Sequence, residues 1–485
     1  MTRLAETANC ARCDRLQREV EKWPEGPVCR TCVRHGLKRR GCCPGCGVDR
    51  ILPGLDAEGH GVCLDCAGIS RSFTCATCRT EGEQWFSSTC LVCSLRRRLT
   101  ELLDDGTGQV APRLEPLMAS LIVMDQPWSG LIWLSRGDVG ARLQALARGT
   151  VGIDHAGLDS FPPGKGCEYL RELLMTIGVL EVKDRQLMAF ERWTLRWLDA
   201  IDDPRHQRLL RTYLLWHHHR DLVARAEAGP LSYATVAVCR SNANSGLRWL
   251  QWITRRGRTV ATVTQTDIDL WMSTASNPAA AKEFVTWAIR HGHCPPLDLP
   301  GSRTGVVHIG PESERRRLLD RLLTDETVGL RERVAGCLVL GLAQSVNRVC
   351  QLTLADIEDR DGETFLHLAR DPVPLPAALS ALLTKLVDTR SNMGTAANRA
   401  SPWLFPGKSP GNHLCGRALS RMLSRLGVTR PGRQAAFAQL IATLPGPLVA
   451  RSLGYHPGTV ANRAGALGTD WAGYAALKAR SLADP

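Results

Sequence analysis

Twelve cysteines in the first hundred residues form six Cys-x-x-Cys pairs, a spacing that turns two thiolates toward one metal ion. The leading pairs begin at Cys10, Cys43 and Cys75, so the pattern is a tandem repeat. The predicted ligand sets are Cys10, Cys13, Cys29 and Cys32; Cys43, Cys46, Cys63 and Cys66; and Cys75, Cys78, Cys90 and Cys93. Four thiolates suit structural zinc and leave no coordination position open for catalysis. We therefore predict three structural zinc ions, with iron–sulfur clusters or redox dithiols as alternatives.

The small size of these modules makes bound metal the expected source of their folding energy. Cys42, next to Cys43, is a spare thiol that could exchange roles with it. The loops between the pairs carry Trp23, Arg50, Trp85 and Phe86. These side chains could contact either DNA or a protein partner, and the sequence leaves both open.

Composition favours a nucleic-acid partner for a protein of three or four domains. The chain has 485 residues, 44% of them hydrophobic, a net charge of +13 and a pI near 9.1. Zinc-bound thiolates would lower the charge to about +7, and the arginine richness is also what a GC-rich genome produces. The sequence has neither an apolar run long enough to cross a membrane nor an apolar N-terminal signal, which predicts a cytoplasmic protein.

The stretch from Val334 to Pro376 has the most informative order of predicted elements. An apolar core helix over Val334 to Ala343 precedes a second helical pattern that ends near Ile357. A glycine-containing turn then separates two short strands, and three prolines force an extended exit. This order, with the phrases LTLADI and VPLP, resembles the start of the catalytic domain of the tyrosine recombinase (phage integrase) family. The resemblance covers about Leu231 to Pro485.

That resemblance implies a small helical core-binding domain before the catalytic one, closing over duplex DNA. Three helical patterns after Gly229-Pro230 fit this domain: Thr235 to Arg256, Thr264 to Ser273 and Ala279 to His291. Thr264, with Asp267 three residues on, is predicted to cap the second of them. Its basic residues would contact phosphates, which position a protein without specifying sequence. They are Arg240, Arg248, Arg255, Arg256 and Arg258.

The family's first catalytic arginine and its lysine are missing from their expected positions. The arginine position holds Ala343 in one alignment and Ser345 in another, and Arg348 is the nearby substitute. No lysine occurs between Glu358 and Pro376, where Arg370 is the cation beyond the turn. Arginine is a poor replacement, because its high pKa prevents it from delivering a proton at neutral pH.

The second half of the family's motif is also displaced. Arg433 fits the arginine of the His-x-x-Arg motif, but Arg430 replaces the histidine. The later leucine–glycine–histidine reads Leu453-Gly454-Tyr455-His456, so His456 is shifted by one residue. The family cleaves DNA with a tyrosine nucleophile, which is missing from its expected position here. The first tyrosine beyond that position is Tyr474, for which a packing role is the alternative. Since losing one charge-stabilising donor typically costs a factor of about 100 or more, little cleavage is expected.

Ala450 to Ala464 also resembles a helix-turn-helix with its turn at Gly454. In that interpretation Thr459, Asn462 and Arg463 face the major groove. Upstream, His217, His218 and His219 are consecutive, so they should point in different directions around a helix and not share a metal ion.

We therefore predict a mainly α protein with small β elements in four parts. These are three zinc ribbons over 1–94, an all-helical domain over 95–228, a core-binding-like domain over 229–305 and a tyrosine-recombinase-like domain over 306–485. The predicted function is binding of double-stranded DNA without strand cleavage, by a nucleoid-associated protein. The predicted DNA-binding residues are Arg348, Arg370, Arg433, Thr459, Asn462 and Arg463.

Two other functions stay open on the sequence alone. One is an active site-specific recombinase that uses Tyr474 and Arg433, with Arg348 and His456 as further catalytic candidates. The other is a zinc-scaffolded adaptor between proteins. Whether the protein forms an oligomer on DNA, or binds a protein through its zinc modules, is also open.

Overall fold

The computed structural model of the chain describes residues 7–85, 88–275, 278–299, 310–394 and 398–467. Its contacts divide the chain into two compact units, which are described separately. Unit 1 comprises Met1–Leu180 and Arg390–His413, and unit 2 comprises Glu181–Thr389 and Leu414–Pro485. Both units are mainly helical with small sheets, as the sequence predicted.

Unit 1 begins with short antiparallel strands around the cysteine sets. The strands are β1 (Thr7–Asn9), β2 (Leu16–Trp23), β3 (Gly26–Cys29), β4 (Arg40–Cys42), β5 (Asp49–Ile51), β6 (Gly54–Leu55) and β7 (Gly61–Val62). They pair as β1-β2-β3, β4-β5 and β6-β7. Trp23, Val28, Leu37, Ile51 and Phe73 are buried together in one apolar cluster. The first two modules therefore share a core instead of folding as separate beads.

The first helix of unit 1 lies within the first cysteine module, and the others begin at or after the third module. They are α1 (Arg30–Leu37), α2 (Leu91–Leu102), α3 (Glu115–Ile122), α4 (Pro127–Leu134), α5 (Gly137–Ala147), α6 (His155–Asp159) and α7 (Lys165–Thr176). Helix α2 begins at the third cysteine set, because the side chain of Cys90 accepts a hydrogen bond from the backbone N–H of Cys93. Leu95, Leu99 and Leu102 on α2 are fully buried, so this helix joins the third module to the helical part of the unit.

Unit 2 starts with helices around a core rich in aromatic side chains. They are α8 (Arg185–Asp199), α9 (Pro204–Thr212), α10 (Arg220–Ala228), α11 (Tyr233–Arg255), α12 (Gln265–Thr274) and α13 (Pro278–Arg290), with a π-helical segment, Tyr213–His219, between α9 and α10. Phe190, Tyr213, Trp249 and Phe284 belong to one buried cluster. The divisions after residues 94, 228 and 305 stay predictions, although this single core extends across residue 228.

The later part of unit 2 contains the elements that position the candidate DNA site. They are α14 (Glu312–Thr324), α15 (Leu330–Gly341), α16 (Val346–Cys350), β8 (Ile357–Arg360), β9 (Glu363–Leu366), β10 (Val373–Pro374), α17 (Ala377–Asp388), α18 (Gly416–Arg425), α19 (Arg430–Thr443), α20 (Gly446–Leu453) and α21 (Pro457–Leu467). Helix α15 is buried from Arg333 to Leu340, as expected for a core helix.

Several local predictions are confirmed by the backbone. Asp361 and Gly362 have φ angles of 54° and 82°, the left-handed pair that a tight two-residue hairpin between β8 and β9 requires. Thr264 caps α12 in a reciprocal capping box with Asp267. The second helical pattern is shorter than expected, because α16 ends at Cys350 and a separate 3₁₀ turn follows at Leu354–Asp356.

Candidate metal centres and nucleic-acid interface

The structure brings each predicted set of four cysteines together. Within every set, all four Sγ atoms lie within 4.8 Å of one another. The Cys13–Cys29, Cys46–Cys63 and Cys78–Cys90 sulfurs are 3.9, 3.8 and 3.7 Å apart. A tetrahedral ion with zinc–sulfur bonds of about 2.3 Å needs sulfur–sulfur edges of about 3.8 Å. In each set, one sulfur–sulfur distance therefore matches a tetrahedral four-thiolate site, and all four sulfurs are close enough to share one ion.

Backbone amides favour the thiolate form of the first cysteine in the second and third sets. The N–H of Cys63 donates to Sγ of Cys43 at 3.3 Å, and the N–H of Cys90 donates to Sγ of Cys75 at 3.3 Å. The first of these bonds lowers the pKa of Cys43 to about 6. Amides of Cys78 and Cys90 lower the pKa of Cys75 to about 5. Cys42 is exposed, with its Sγ 3.3 Å from the carbonyl oxygen of Gly47, and does not belong to the second set.

The described loop residues considered for partner binding make contacts with other residues of unit 1. Trp23 is 5% exposed, and the guanidinium of Arg12 lies 4.7 Å from its ring centroid. Arg50 forms ion pairs with Asp65 and Glu81. Trp85 packs edge-on against Trp128 at 4.5 Å. Phe86 lies outside the described residues.

In unit 2, Arg348 and Arg433 lie near Tyr455, one against the backbone at Gly454 and the other against the backbone at Ala343. Nη1 of Arg433 donates to the carbonyl oxygen of Ala343 at 3.4 Å, and the hydroxyl of Tyr455 donates to the same oxygen at 2.5 Å. The guanidinium of Arg348 packs against Gly454, where an added Cβ would lie 2.9 Å from Nη1. Neither arginine has a carboxylate partner within the described parts of the chain, and both are half-buried.

Local backbone geometry explains these positions. Ala343 has a φ of 56°, so the chain turns sharply after α15 and presents the carbonyl to both donors. Ser345 then caps α16 by accepting a hydrogen bond from the N–H of Arg348, which fixes this arginine in the first turn. Gly454 has a φ of 71° and lacks a Cβ, so the guanidinium can lie directly on the backbone that ends α20.

Tyr455 is the residue of this site that sequence reasoning missed. Its ring stacks on Phe437, with centroids 4.1 Å apart. Burial raises the pKa of its hydroxyl, and the charges of Arg433 and Arg348 only partly oppose the shift. In the sequence, Tyr455 is marked only by its position between Gly454 and His456, where the family's motif has its histidine.

The other predicted catalytic positions are less closely gathered. His456 is exposed, and its Nδ1 accepts a hydrogen bond from the N–H of Gly458 at 3.1 Å. Arg370 is exposed next to Asp371, whose carboxylate pairs with Arg451 on α20 at 2.8 Å. Tyr474 lies outside the described residues, so its predicted role as nucleophile stays untested.

The small sheet offers no substitute for the missing lysine among its described side chains. Arg360 pairs with Glu358 at 2.7 Å. Nε2 of His367 lies 2.7 Å from the other carboxylate oxygen of Glu358. Both of these basic side chains are therefore held by one acidic side chain, Glu358.

Helices α20 and α21 have the helix-turn-helix arrangement that the sequence indicated. Val449, Leu453 and Val460 are buried on their inner faces, and Thr459 and Asn462 are exposed. Arg463 behaves differently, because its Nε and Nη2 atoms are buried and have no hydrogen-bond partner.

Three of the five arginines expected to contact phosphate from the core-binding-like region have partners within unit 2. Arg240 donates to the carbonyl oxygen of Ala189 at 2.7 Å, and burial lowers its pKa. Arg256 and Arg258 each lie 3.4 Å from a carboxylate oxygen of the buried Asp267. The exposed cations that remain on α11 are Arg248, whose Nη2 donates to Ser245, and Arg255.

The histidine run does not behave as expected for an ordinary helix. His219 points to Glu191, with Nε2 2.7 Å from the carboxylate. His217 and His218 instead both face Glu283 on α13. The prediction of three diverging imidazoles is wrong for the first two, because a π-helical segment carries them.

Comparisons with known proteins give similarities to solved structures only. No protein-family model and no curated protein matches the chain. A XerH site-specific recombinase bound to palindromic difH substrate is 14% identical, with a TM-score of 0.38; the match covers 59% of this chain and 94% of that one. A Tn1549 transposon integrase in complex with a circular intermediate DNA is 14% identical, with a TM-score of 0.38; the match covers 53% of this chain and 94% of that one. A lambda integrase dimer bound to a COC′ core site is 13% identical, with a TM-score of 0.33; the match covers 51% of this chain and 93% of that one.

No helix in the described ranges combines the length and apolar character that crossing a bilayer needs.

Proposed function

We propose that this protein binds double-stranded DNA on a tyrosine-recombinase-like scaffold and does not cleave it. The observation that supports binding is the pair of half-buried guanidinium groups, Arg348 and Arg433, whose charges both act on Tyr455. Arginine presents a planar fork of donors that matches phosphate oxygens. Within the described residues no carboxylate neutralises either group, and the chain as a whole carries a net charge of +13.

Exposed groups next to the pair extend the proposed contact surface. His456 and Thr459 lie at the start of α21, and Asn462 is one turn further along the helix. We assign phosphate contacts to the arginine pair, Arg370 and His456, and base-edge contacts in the major groove to Thr459 and Asn462. Arg463 is the least accessible of the proposed DNA-binding residues.

The proposal of no cleavage rests on the state of the described tyrosine in this site. A nucleophilic tyrosine needs a hydroxyl that is free to attack phosphorus and to lose its proton. The hydroxyl of Tyr455 instead donates to the carbonyl oxygen of Ala343, and its pKa is raised. Beside the hairpin, Arg360 cannot deliver a proton at neutral pH, and both Arg360 and His367 are paired with Glu358.

We further propose that zinc occupies the three four-cysteine sets. The ligands would be the twelve cysteines named above, and zinc would supply cross-links in place of a large apolar core. The chain's contribution is to hold each set of sulfurs close enough to share one ion, with amides pointing at them. Metal analysis of freshly purified protein should give about three zinc per chain, whereas a folded, metal-free protein would reject this assignment.

The salt dependence of duplex binding tests the proposal against the adaptor alternative. Log affinity for a duplex should fall linearly with log salt concentration, because each arginine–phosphate contact releases condensed counterions. An adaptor whose basic charge only reflects codon usage would show no such slope at physiological salt. Finding no slope would refute DNA binding.

A further inference from the structure

His217, His218 and Glu283 form a cluster of metal-ligating groups far along the chain from the cysteine sets. Nε2 of His217 lies 3.4 Å from Oε1 of Glu283, and Nε2 of His218 lies 4.0 Å from the same oxygen. The three ligand atoms all fall within 4.8 Å of one another. A tetrahedral ion with bonds of about 2.1 Å needs edges of about 3.4 Å. The His217–Glu283 pair already has this spacing. A shift of less than about 1 Å in the His218 ring would bring the His218–Glu283 distance to the same value.

The backbone that carries the histidines departs from an α-helix at this place. Residues Tyr213–His219 form a π-helical segment within an otherwise continuous helix from α9 to α10. Such segments are rare and frequently occur at functional sites. Here the segment turns two adjacent imidazoles toward the same carboxylate on α13, which the sequence alone did not suggest.

His218 supplies a second, independent observation. Its side chain is only 5% exposed, and its Nε2 atom is buried without a hydrogen-bond partner. A buried polar atom left unpaired is costly, so such atoms in a native protein usually have a partner. Because this nitrogen faces Glu283 at 4.0 Å, an ion between them would satisfy it.

The carboxylate is oriented from its other side. Asn242, a buried residue of α11, donates its side-chain N–H to Oε2 of Glu283. This bond leaves Oε1 directed at the two imidazoles. Hydrogen bonds that orient a ligating side chain in this way are typical of metal sites.

We propose that His217, His218 and Glu283 bind a divalent transition-metal ion of the zinc type. Two imidazoles and one carboxylate are ligands that zinc accepts, and they leave at least one coordination position open. Such an ion would fasten the π-helical segment to α13. The proposed site differs from the cysteine sets in its ligand chemistry and its open position, and it does not depend on DNA binding.

Cobalt titration of the full-length, zinc-replete protein tests this proposal. Co²⁺ held by nitrogen and oxygen shows visible ligand-field absorption, whereas thiolate coordination adds intense charge-transfer absorption in the near ultraviolet. We expect wild-type protein to bind about one Co²⁺ with the first signature and without the second. We also expect the Tm to rise on Co²⁺ addition.

Two variants and a matched control assign the ligands. His217→Ala removes a ligand that is 41% exposed, and Glu283→Gln keeps an acceptor for Asn242 while removing the charge. Each should weaken Co²⁺ binding at least about tenfold and abolish the Co²⁺-dependent rise in Tm. His219→Ala, which disrupts the contact with Glu191, should leave both unchanged.

The proposal is overturned if wild-type protein binds no Co²⁺ outside the thiolate sites. It is equally overturned if both ligand variants bind Co²⁺ as wild type does, or if only His219→Ala weakens binding. Circular dichroism without Co²⁺ checks that the variants are folded. Should either be unfolded, the spectrum and the Tm shift of the wild-type protein decide the matter.

Discussion

Replacing Arg348 and Arg433 by glutamine should reduce DNA affinity by an amount that can be worked from their contacts. Each side chain is half-buried and has no carboxylate partner within the described residues, so each is expected to neutralise one phosphate. A hydrogen bond to a charged group contributes about 1.5–3 kcal/mol, which corresponds to at least about a tenfold loss for each variant. The double variant Arg348→Gln, Arg433→Gln should therefore bind duplex DNA at least about 100-fold more weakly.

The salt dependence gives a second, independent magnitude. Losing one phosphate contact lowers the slope of log affinity against log salt by about 0.9, so the double variant should lose about 1.8. Affinity is measured by fluorescence anisotropy on a labelled duplex at several salt concentrations. Arg225→Gln is the matched control, because it removes one positive charge that is already paired with Asp221 at 2.8 Å.

Thermal unfolding separates a loss of affinity from a loss of fold. The bond from Arg433 to Ala343 is long, at 3.4 Å, so its removal should cost little stability. If the double variant stays folded and binds DNA with wild-type affinity and slope, the arginine pair is not a phosphate site. If Arg225→Gln weakens binding as much as either single variant, only overall charge matters and the assignment is wrong.

Four further predictions follow from individual residues. Gly454→Ala should lower stability by about 1–2 kcal/mol and also weaken DNA binding, because its φ is 71° and its Cβ would displace the guanidinium packed there; melting and anisotropy measure both. Tyr455→Phe should cost about 1 kcal/mol on chemical denaturation yet leave DNA affinity unchanged, and a large loss of affinity would contradict its structural role. Cys75→Ser should reduce metal content from about three to about two zinc per chain by mass spectrometry. Gly362→Ala, at a φ of 82°, should destabilise by about 1–2 kcal/mol, whereas Gly465→Ala on open helix surface should stabilise by about 0.5–1 kcal/mol; equal urea midpoints would contradict this.

Sequence patterns predicted the features that depend on local spacing. The cysteine sets, the capping box at Thr264 and the hairpin turn at Gly362 each lie within a short stretch whose chemistry fixes its geometry. The helix pair around Gly454 was predicted for the same reason, since a glycine with positive φ ends the first helix.

Features that depend on distant contacts or rare backbone states could not be read from the sequence. The left-handed Ala343 brings Arg433 and Tyr455 to one carbonyl, and alanine gives no sign of that conformation. Nothing in the sequence indicates the π-helical segment either. This segment turns His217 and His218 toward one carboxylate, although consecutive residues were expected to diverge. The pairing of Arg256 and Arg258 with the buried Asp267 is likewise invisible in a charge count, so phosphate contact by these arginines stays a prediction.

Incubation with a nicked duplex, followed by parallel native and denaturing gels, tests the central claim most directly. Binding without cleavage predicts a shifted complex on the native gel that disappears completely in denaturant. A DNA–protein band that survives denaturation, and that is lost in Tyr474→Phe or Tyr455→Phe, would show a covalent tyrosine linkage and contradict the account.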